Sequence, residues 1–120
     1  MVKRILIIED DIDIVEVLDF LLTDAGYIVE ILFQAEGIWD KINEFKPDLI
    51  LLDIMLPDGD GRDICKELKQ NLSTAKIPVI MVSGHDYIYD TITTVKANDI
   101  VTKPFRLDTI LNRIERQLTA

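Results

Sequence analysis

The sequence predicts an α/β fold, a parallel sheet of five strands covered by helices on both faces. Five short apolar runs of strand length alternate with five stretches in which apolar residues recur at helical spacing. One run, residues 49–52, is aliphatic at every position, which is typical of a strand buried on both faces. Helical connections between parallel strands are right-handed, so we expect the helices to form two covering layers.

The composition narrows the class of protein. A chain of 120 residues has the usual size of one domain, which we expect over residues 1–120. The net charge of −9 argues against nucleic-acid binding by this chain, because such binding depends largely on lysine and arginine. No run approaches the ~20 apolar residues that cross a bilayer. Cys65 is the only cysteine and is expected to be buried on a helix, so we predict a cytoplasmic protein without disulfides or membrane contact.

The first strand is predicted over residues 3–8, where apolar residues run into an acidic stretch. Asp11 and Asp13 then supply the N-cap chemistry of the first helix. Gly26 ends this helix, because glycine readily takes the positive φ found at helix termini. The apolar stripe of the helix consists of Ile14, Leu18, Leu21, Leu22 and Ala25.

The second strand and helix follow directly. Residues 28–32 alternate more than the other strands do, which indicates a sheet edge. The second helix must finish before Pro47, and we expect Trp39 to pack against the core rather than to bind a ligand. The helix carries its apolar stripe at Ile38, Ile42 and Phe45.

The third strand ends at Asp53, and Asp60 is expected to cap the third helix. Residues 73–76 then lead to the fourth strand, residues 77–82. The apolar stripe of the third helix is predicted to be Ile64, Leu68 and Leu72.

The last third of the chain contains the weakest and the clearest helix. A short helix is predicted over residues 87–97, where many β-branched residues lower the helix propensity. Residues 100–102 form the fifth strand. The fifth helix has an unbroken helical stripe at Leu107, Ile110, Leu111, Ile114 and Leu118.

Charged or reactive side chains are found at the ends of four predicted strands: Glu9 and Asp10, Asp53, Ser83, and Lys103. The carboxyl ends of parallel strands lie at one edge of a sheet, where ligands bind in open α/β folds. If these residues converge there, they form a metal site beside a nucleophile, with a cation and a hydroxyl for an anion.

The whole chain resembles the receiver domain of bacterial two-component response regulators. Four signatures carry the resemblance: Glu9-Asp10, Asp53 in the stretch LLDIMLPDGDG, Ser83-Gly84, and Lys103-Pro104-Phe105. The resemblance implies a flavodoxin-like, doubly wound (βα)5 sandwich with strand order 2-1-3-4-5.

The family roles imply a phosphorylation site at Asp53. Its carboxylate resembles the acceptor that attacks the phosphorus of a phosphohistidine. By the same resemblance, Glu9, Asp10, Asp53 and the backbone carbonyl of Met55 hold Mg²⁺, a hard cation that prefers oxygen ligands. The Ser83 hydroxyl resembles the group that binds a phosphoryl oxygen.

Lys103 resembles the family lysine that pairs first with Asp53 and then with the phosphoryl group. The resemblance implies a cis peptide bond between Lys103 and Pro104. It also implies a sensor histidine kinase or phosphotransfer protein as the donor, and a downstream protein as the receiver of the signal. Pairing of two copies through the fourth helix, fifth strand and fifth helix is a further expectation.

Switching and tuning residues are predicted around the same site. Ile100 stands three residues before Lys103, where the family usually has Tyr, Phe or His as a readout residue. Gly84 belongs to the loop that is expected to move with the signal. His85 and the Met55 side chain are hypothesised to set the dephosphorylation rate; a loop histidine without a task is an equal alternative.

Two functions follow from these residues. In the first, modification of Asp53 switches a binding surface. In the second, the chain is a phosphoryl carrier or phosphate sink that needs no large surface change. In both, the chain catalyses its own phosphorylation and dephosphorylation but is mainly a signalling module.

Three other readings fit the residues less well. A docking module that is never phosphorylated would have no use for the complete set of catalytic residue types. A haloacid-dehalogenase-type site would need a second Asp where Met55 stands. A calcium loop through Asp58, Asp60 and Asp63 is rejected, because Gly61 at its sixth position would start the loop at Leu56.

Overall fold

The computed structural model describes residues 1–84 and 96–119. Four helices lie in this part of the chain: α1 Ile12–Asp24, α2 Ile38–Phe45, α3 Gly61–Gln70 and α4 Leu107–Thr119. The strands are β1 Arg4–Ile8, β2 Ile28–Leu32, β3 Leu49–Asp53, β4 Met55–Leu56, β5 Gly59–Asp60, β6 Val79–Gly84 and β7 Asp99–Lys103. His85 and nearly all of the predicted fourth helix lie outside the described residues; α4 is the predicted fifth helix.

The five long strands form one parallel sheet in the order β2-β1-β3-β6-β7, which confirms the predicted fold and strand order. Ile8 is in register with Leu52, so Glu9 follows β1 at the level of Asp53. In the remaining strands, Asp53 pairs with Val82, and Gly84 pairs with Lys103. The sheet register therefore brings the predicted site residues to one edge.

The core lies in two layers on the two faces of the sheet. Alternate residues of β1 and β3 point to opposite faces and are almost completely buried. One layer packs against α2 and α3, and the other packs against α1 and α4. Complete burial stabilises the fold by about 1.5–3 kcal/mol for each of these aliphatic side chains.

The predicted helix start and sheet edge are found at the first two strands. The Asp11 carboxylate accepts hydrogen bonds from the backbone amides of Asp13 and Ile14, and so caps α1. Gly26 has a φ of 99° just beyond the helix end. Strand β2 is an edge strand, and its Ile28 is exposed. Trp39 packs partly buried against the core, as predicted.

The predicted stripe of α3 is wrong at Leu72. The helix ends at Gln70, and Leu72 is 96% exposed. A continuing helix would need the carbonyl of Leu68 as the acceptor for the Leu72 amide. The Leu68 carbonyl instead accepts a hydrogen bond from the Thr74 hydroxyl at 2.6 Å. The Lys69 ammonium donates to the carbonyls of Ala75 and Ile77, which follow the turn.

A small antiparallel hairpin between β3 and α3 was not predicted. Met55 pairs with Asp60, and Leu56 pairs with Gly59. Strand β6 also differs, since it begins at Val79 and continues through Gly84, so that Ser83 lies on the strand. Among the described residues, no helix combines the length and apolarity that crossing a bilayer would require.

Candidate functional site

An acidic cluster lies at the carboxyl edge of the sheet. Glu9 and Asp10 follow β1, and Asp53 is the last residue of β3. Carboxylate oxygens of these three residues all lie within 4.8 Å of one another. Glu9 and Asp53 are buried, whereas Asp10 is exposed, so the cluster opens to solvent on the Asp10 side.

Lys103 reaches this cluster from the end of β7. Its Nζ lies 2.7 Å from Glu9 Oε1 and 3.2 Å from Asp53 Oδ2. The Lys103-Pro104 peptide bond is cis, as predicted. The other carboxylate oxygen of Glu9 accepts a hydrogen bond from the Asp11 amide at 3.2 Å. One cation therefore joins the two buried carboxylates.

The electrostatics of Glu9 and Lys103 reflect their burial and proximity. Burial raises the pKa of Glu9, the hydrogen bond and charge of Asp53 raise it further, and Lys103 only partly opposes this. Burial of Lys103 disfavours its charge, but Glu9 and Asp53 outweigh this effect and raise its pKa above the usual lysine value. Lys103 is therefore a fixed positive charge at neutral pH, and the pocket has a surplus of acid groups.

Ser83 lies on β6 beside Asp53 and is buried. Its hydroxyl donates to the carbonyl of Gly84 at 2.6 Å, so in this structure it does not bond Asp53. Gly84 itself is exposed at the strand end. A hydroxyl that is held by a neighbouring carbonyl can turn to another acceptor by rotation about one bond.

The hairpin flanks the Asp53 carboxylate. The amide of Met55 lies 3.4 Å from Asp53 Oδ1, at the long limit of a hydrogen bond. The Met55 side chain is 67% exposed. Ile100 is 8% exposed and belongs to the core layer that also contains Met81, so its side chain offers no polar group to the site.

Gly61 supports the backbone at Asp53, a role that was not predicted from the sequence. Its amide donates to the carbonyl of Ile54 at 2.7 Å. A Cβ atom at this position would overlap the backbone carbonyl oxygen of Asp53 and lie 3.0 Å from the Ile54 Cα. Only glycine permits this close approach. The Asp60-Gly61 pair at the end of the hairpin is the sequence feature that could have indicated it.

From the sequence, Asp58 was considered only as part of the rejected calcium loop. In the structure it makes two specific contacts. Its carboxylate accepts hydrogen bonds from the backbone amides of Ala35 at 2.8 Å and Glu36 at 2.9 Å. These contacts hold the pKa of Asp58 below its usual range. No local pattern could reveal them, because the partners lie more than twenty positions away.

The donor set fits a magnesium ion. Glu9, Asp10 and Asp53 provide carboxylate oxygens close together, and Mg²⁺ binds through few carboxylates while keeping several waters. The open side at Asp10 leaves room for such waters. Burial is the main reason why the pKa of Glu9 is raised, and a divalent cation would relieve the smaller contribution that comes from the charge of Asp53.

Comparisons with known proteins point in one direction. The family model for the response regulator receiver domain matches residues 5–115. A putative response regulator from Chloroflexus aurantiacus has a similar structure over the full length of both chains, with 29% identity and a TM-score of 0.92. A CheY-like receiver domain protein from Methanospirillum hungatei matches 99% of this chain and 95% of its own, with 29% identity and a TM-score of 0.90.

A longer protein contains the same unit. NtrX from Brucella abortus is 32% identical over 99% of this chain, with a TM-score of 0.87, and the match covers 27% of NtrX. Because the family model spans nearly the whole sequence, the predicted resemblance is confirmed. The chain belongs to the response regulator receiver domain family of two-component signalling.

Proposed function

We propose that Asp53 accepts a phosphoryl group in a Mg²⁺-dependent reaction. The observation that supports this most strongly is that its carboxylate belongs to an acidic cluster that fits a divalent cation and also lies 3.2 Å from the ammonium of Lys103. The donor is a phosphohistidine of a sensor histidine kinase or phosphotransfer protein. We further propose that the reaction takes place in the cytoplasm.

In the transfer, an Asp53 oxygen forms a bond to phosphorus while the phosphorus–nitrogen bond of the phosphohistidine breaks. The released imidazole takes up a proton. Glu9, Asp10 and the Met55 carbonyl would hold Mg²⁺ with Asp53, and the ion supplies positive charge for the phosphoryl oxygens. Lys103 adds a second positive charge, and Ser83 can turn its hydroxyl from Gly84 to a phosphoryl oxygen.

A groove beside the site supports contact with a donor protein. It has a volume of about 300 Å³ and borders Lys103. Its walls are mainly apolar side chains from α1, from the connection between β7 and α4, and from the start of α4: Ile14, Val17, Phe105 and Leu107. An apolar surface next to the acceptor allows a partner to pack close enough for transfer.

The same site would return to its resting state by hydrolysis. Water attacks phosphorus, the Asp53–phosphorus bond breaks, and inorganic phosphate leaves. The exposure of the Met55 side chain, and the position of its amide beside Asp53, support the proposal that this side chain limits the approach of water. His85 lies outside the described residues, and its tuning role stays a prediction.

The phosphorylated form is proposed to switch binding of a downstream protein. Pairing of two copies through β7, α4 and residues 87–97 is part of this proposal. A second candidate function is a phosphoryl carrier or sink. The burial of Ile100 in the core supports this candidate, because an aliphatic side chain cannot provide the aromatic readout that the family resemblance implies at this position.

Amide NMR spectra with Mg²⁺, before and after beryllofluoride, test both candidates, since beryllofluoride mimics a phosphoryl group on Asp53. Shifts confined to the ends of β1, β3, β6 and β7 would support the carrier. Shifts that spread through residues 87–97 and α4 would support the switch. Asp53→Asn is the control, and the absence of any Asp53-dependent shift would refute phosphoryl acceptance.

A further inference from the structure

Asp58 links two loops that flank the site. It lies in the turn between β4 and β5, and its carboxylate oxygens accept separately from Ala35 and Glu36 in the connection between β2 and α2. At 2.8 and 2.9 Å, both are charge-assisted hydrogen bonds of good length.

The connection between β2 and α2, which Asp58 contacts, is well anchored. The carbonyl of Ala35 accepts a hydrogen bond from the amide of Ile38, the first residue of α2. Ala35 also packs against the core layer below α2. The connection begins after Leu32, whose carbonyl accepts the Glu9 amide at 3.0 Å. The segment that Asp58 holds is therefore fixed both to a helix and to the strand end that carries Glu9.

The hairpin is anchored by Ile54 and Leu56, which are buried in the core on either side of Met55, and its turn is further supported by Asp58. The hairpin consists of two strands of two residues each, and isolated two-stranded hairpins are marginal in water. Its first residue, Met55, follows Asp53 by two positions and provides the backbone carbonyl assigned to Mg²⁺ in the proposed function. A displacement of the turn that passes through these short strands would move this carbonyl and the amide that lies 3.4 Å from Asp53.

We propose that Asp58 is a positioning residue for the metal site: by tying the hairpin to the connection before α2, it sets the place of the Met55 carbonyl relative to Glu9 and Asp53. The part that concerns Mg²⁺ rests on the proposed function. Asp58 lies in the hairpin turn, at the opposite end from Met55, and acts through the hairpin rather than on the metal.

The chemistry of the contact suggests graded variants. Asp58→Ala removes both acceptors, and Asp58→Asn keeps the shape but offers one acceptor oxygen in place of two. Both also remove one negative charge. Glu36→Gln is the matched control, because it removes a charge from the same pair of loops and leaves the Glu36 amide free to bond Asp58.

The test is a Mg²⁺ titration of the four proteins, followed by amide NMR shifts at constant ionic strength. We expect Asp58→Ala to weaken Mg²⁺ binding about tenfold, the lower end of the effect seen for groups that orient metal ligands. Asp58→Asn should fall between Asp58→Ala and the wild type. Glu36→Gln should change the affinity by no more than about twofold, because an exposed charge is largely screened.

Equal Mg²⁺ affinity in Asp58→Ala and the wild type would overturn the positioning role while leaving the proposed function intact. Failure of the wild type to bind Mg²⁺ would instead remove the proposed function. In that case the metal-free spectra decide: shifts of the Met55 and Asp60 amides in Asp58→Ala support the link, and shifts confined to residues 35, 36 and 58 refute it.

Discussion

Lys103 stabilises a pair of carboxylates that would otherwise repel each other in a buried position. It lies within 3.2 Å of both Glu9 and Asp53, and its own side chain is only partly accessible. Burying like charges is costly unless an opposite charge or a proton compensates them. The resting site is therefore held together by the same cation that is proposed to meet the phosphoryl group.

Lys103→Met should lower the free energy of unfolding by about 2 kcal/mol at neutral pH without Mg²⁺, a value between those for exposed and buried pairs. Saturating Mg²⁺ should recover part of this loss, because the ion replaces the missing positive charge. Urea denaturation with and without Mg²⁺ measures both effects. Lys66→Met, the same change at an exposed position of α3, should be close to neutral.

Cys65 gives a pH-dependent signature of its buried position. Burial raises the pKa of its thiol to about 11, whereas the unfolded thiol ionises near 8.5. The folded state thus retains the proton longer, so the stability contribution is complete below about pH 8.5 and falls as the pH rises towards 11. The unfolded thiolate gains in population over this range.

Between pH 7.5 and 10, the wild type should lose roughly 2 kcal/mol of stability relative to Cys65→Ala, in which this ionisation is absent. Denaturant midpoints of the two proteins across this range provide the measurement. Comparing the two removes the effect of the other groups that titrate at high pH. A constant difference would show that the Cys65 thiol ionises equally in both states.

At the scale of elements, the segment between β3 and α3 was the hardest to predict. Strands of two residues have no periodic pattern, so only a turn was indicated at Pro57, Asp58 and Gly59. By contrast, β1 and β3 were predictable because every side chain in their apolar runs is buried. The hairpin depends on contacts with other segments of the chain, and local sequence patterns cannot predict such contacts.

Gly61→Ala should disturb this segment and lower stability by about 1–3 kcal/mol, the usual cost of forcing an extra atom into a packed position. Its Cβ would meet the carbonyl of Asp53, so amide shifts should concentrate at residues 53–61. The matched variant is Gly59→Ala, whose Cβ would meet nothing within 4 Å. Equal effects of the two substitutions would rule out the close approach as the cause.

The end of α3 offers a test of the corrected stripe. Leu68 is fully buried, whereas Leu72 is exposed beyond the helix. Leu68→Ala should cost about 2–5 kcal/mol, because it removes contacts and leaves a cavity. Leu72→Ala should stay within ±0.5 kcal/mol of the wild type. A large cost at Leu72, measured by thermal unfolding, would restore the original prediction.

At the scale of the whole molecule, the carboxyl edge of the sheet carries negative charge that the folded chain does not itself neutralise. The chain has a net charge of −9, and three acidic side chains converge at the ends of β1 and β3. The residue types and their strand positions made this convergence predictable from the sequence together with the family resemblance. The contacts of Asp58 and Gly61 were not predictable, since they depend on how distant loops meet.

Mg²⁺ should therefore stabilise the whole fold. At a free concentration one hundred times the Kd, a single site contributes about 2.7 kcal/mol. For a domain of this size, that corresponds to a rise in Tm of roughly 10 °C. Asp10→Ala should show a much smaller rise, and sodium chloride at matched ionic strength controls for screening. Equal rises in both proteins would place the binding elsewhere.

The exposed turn after α3 has a practical consequence. Leu72 lies between the end of α3 and the start of β6, at the amino edge of the parallel sheet, and thus at the opposite end from Asp53. Since the native thiol of Cys65 is buried, Leu72→Cys would introduce a single accessible thiol. A fluorophore or spin label could be attached there selectively, to report on complexes formed at the far end of the molecule without entering the site.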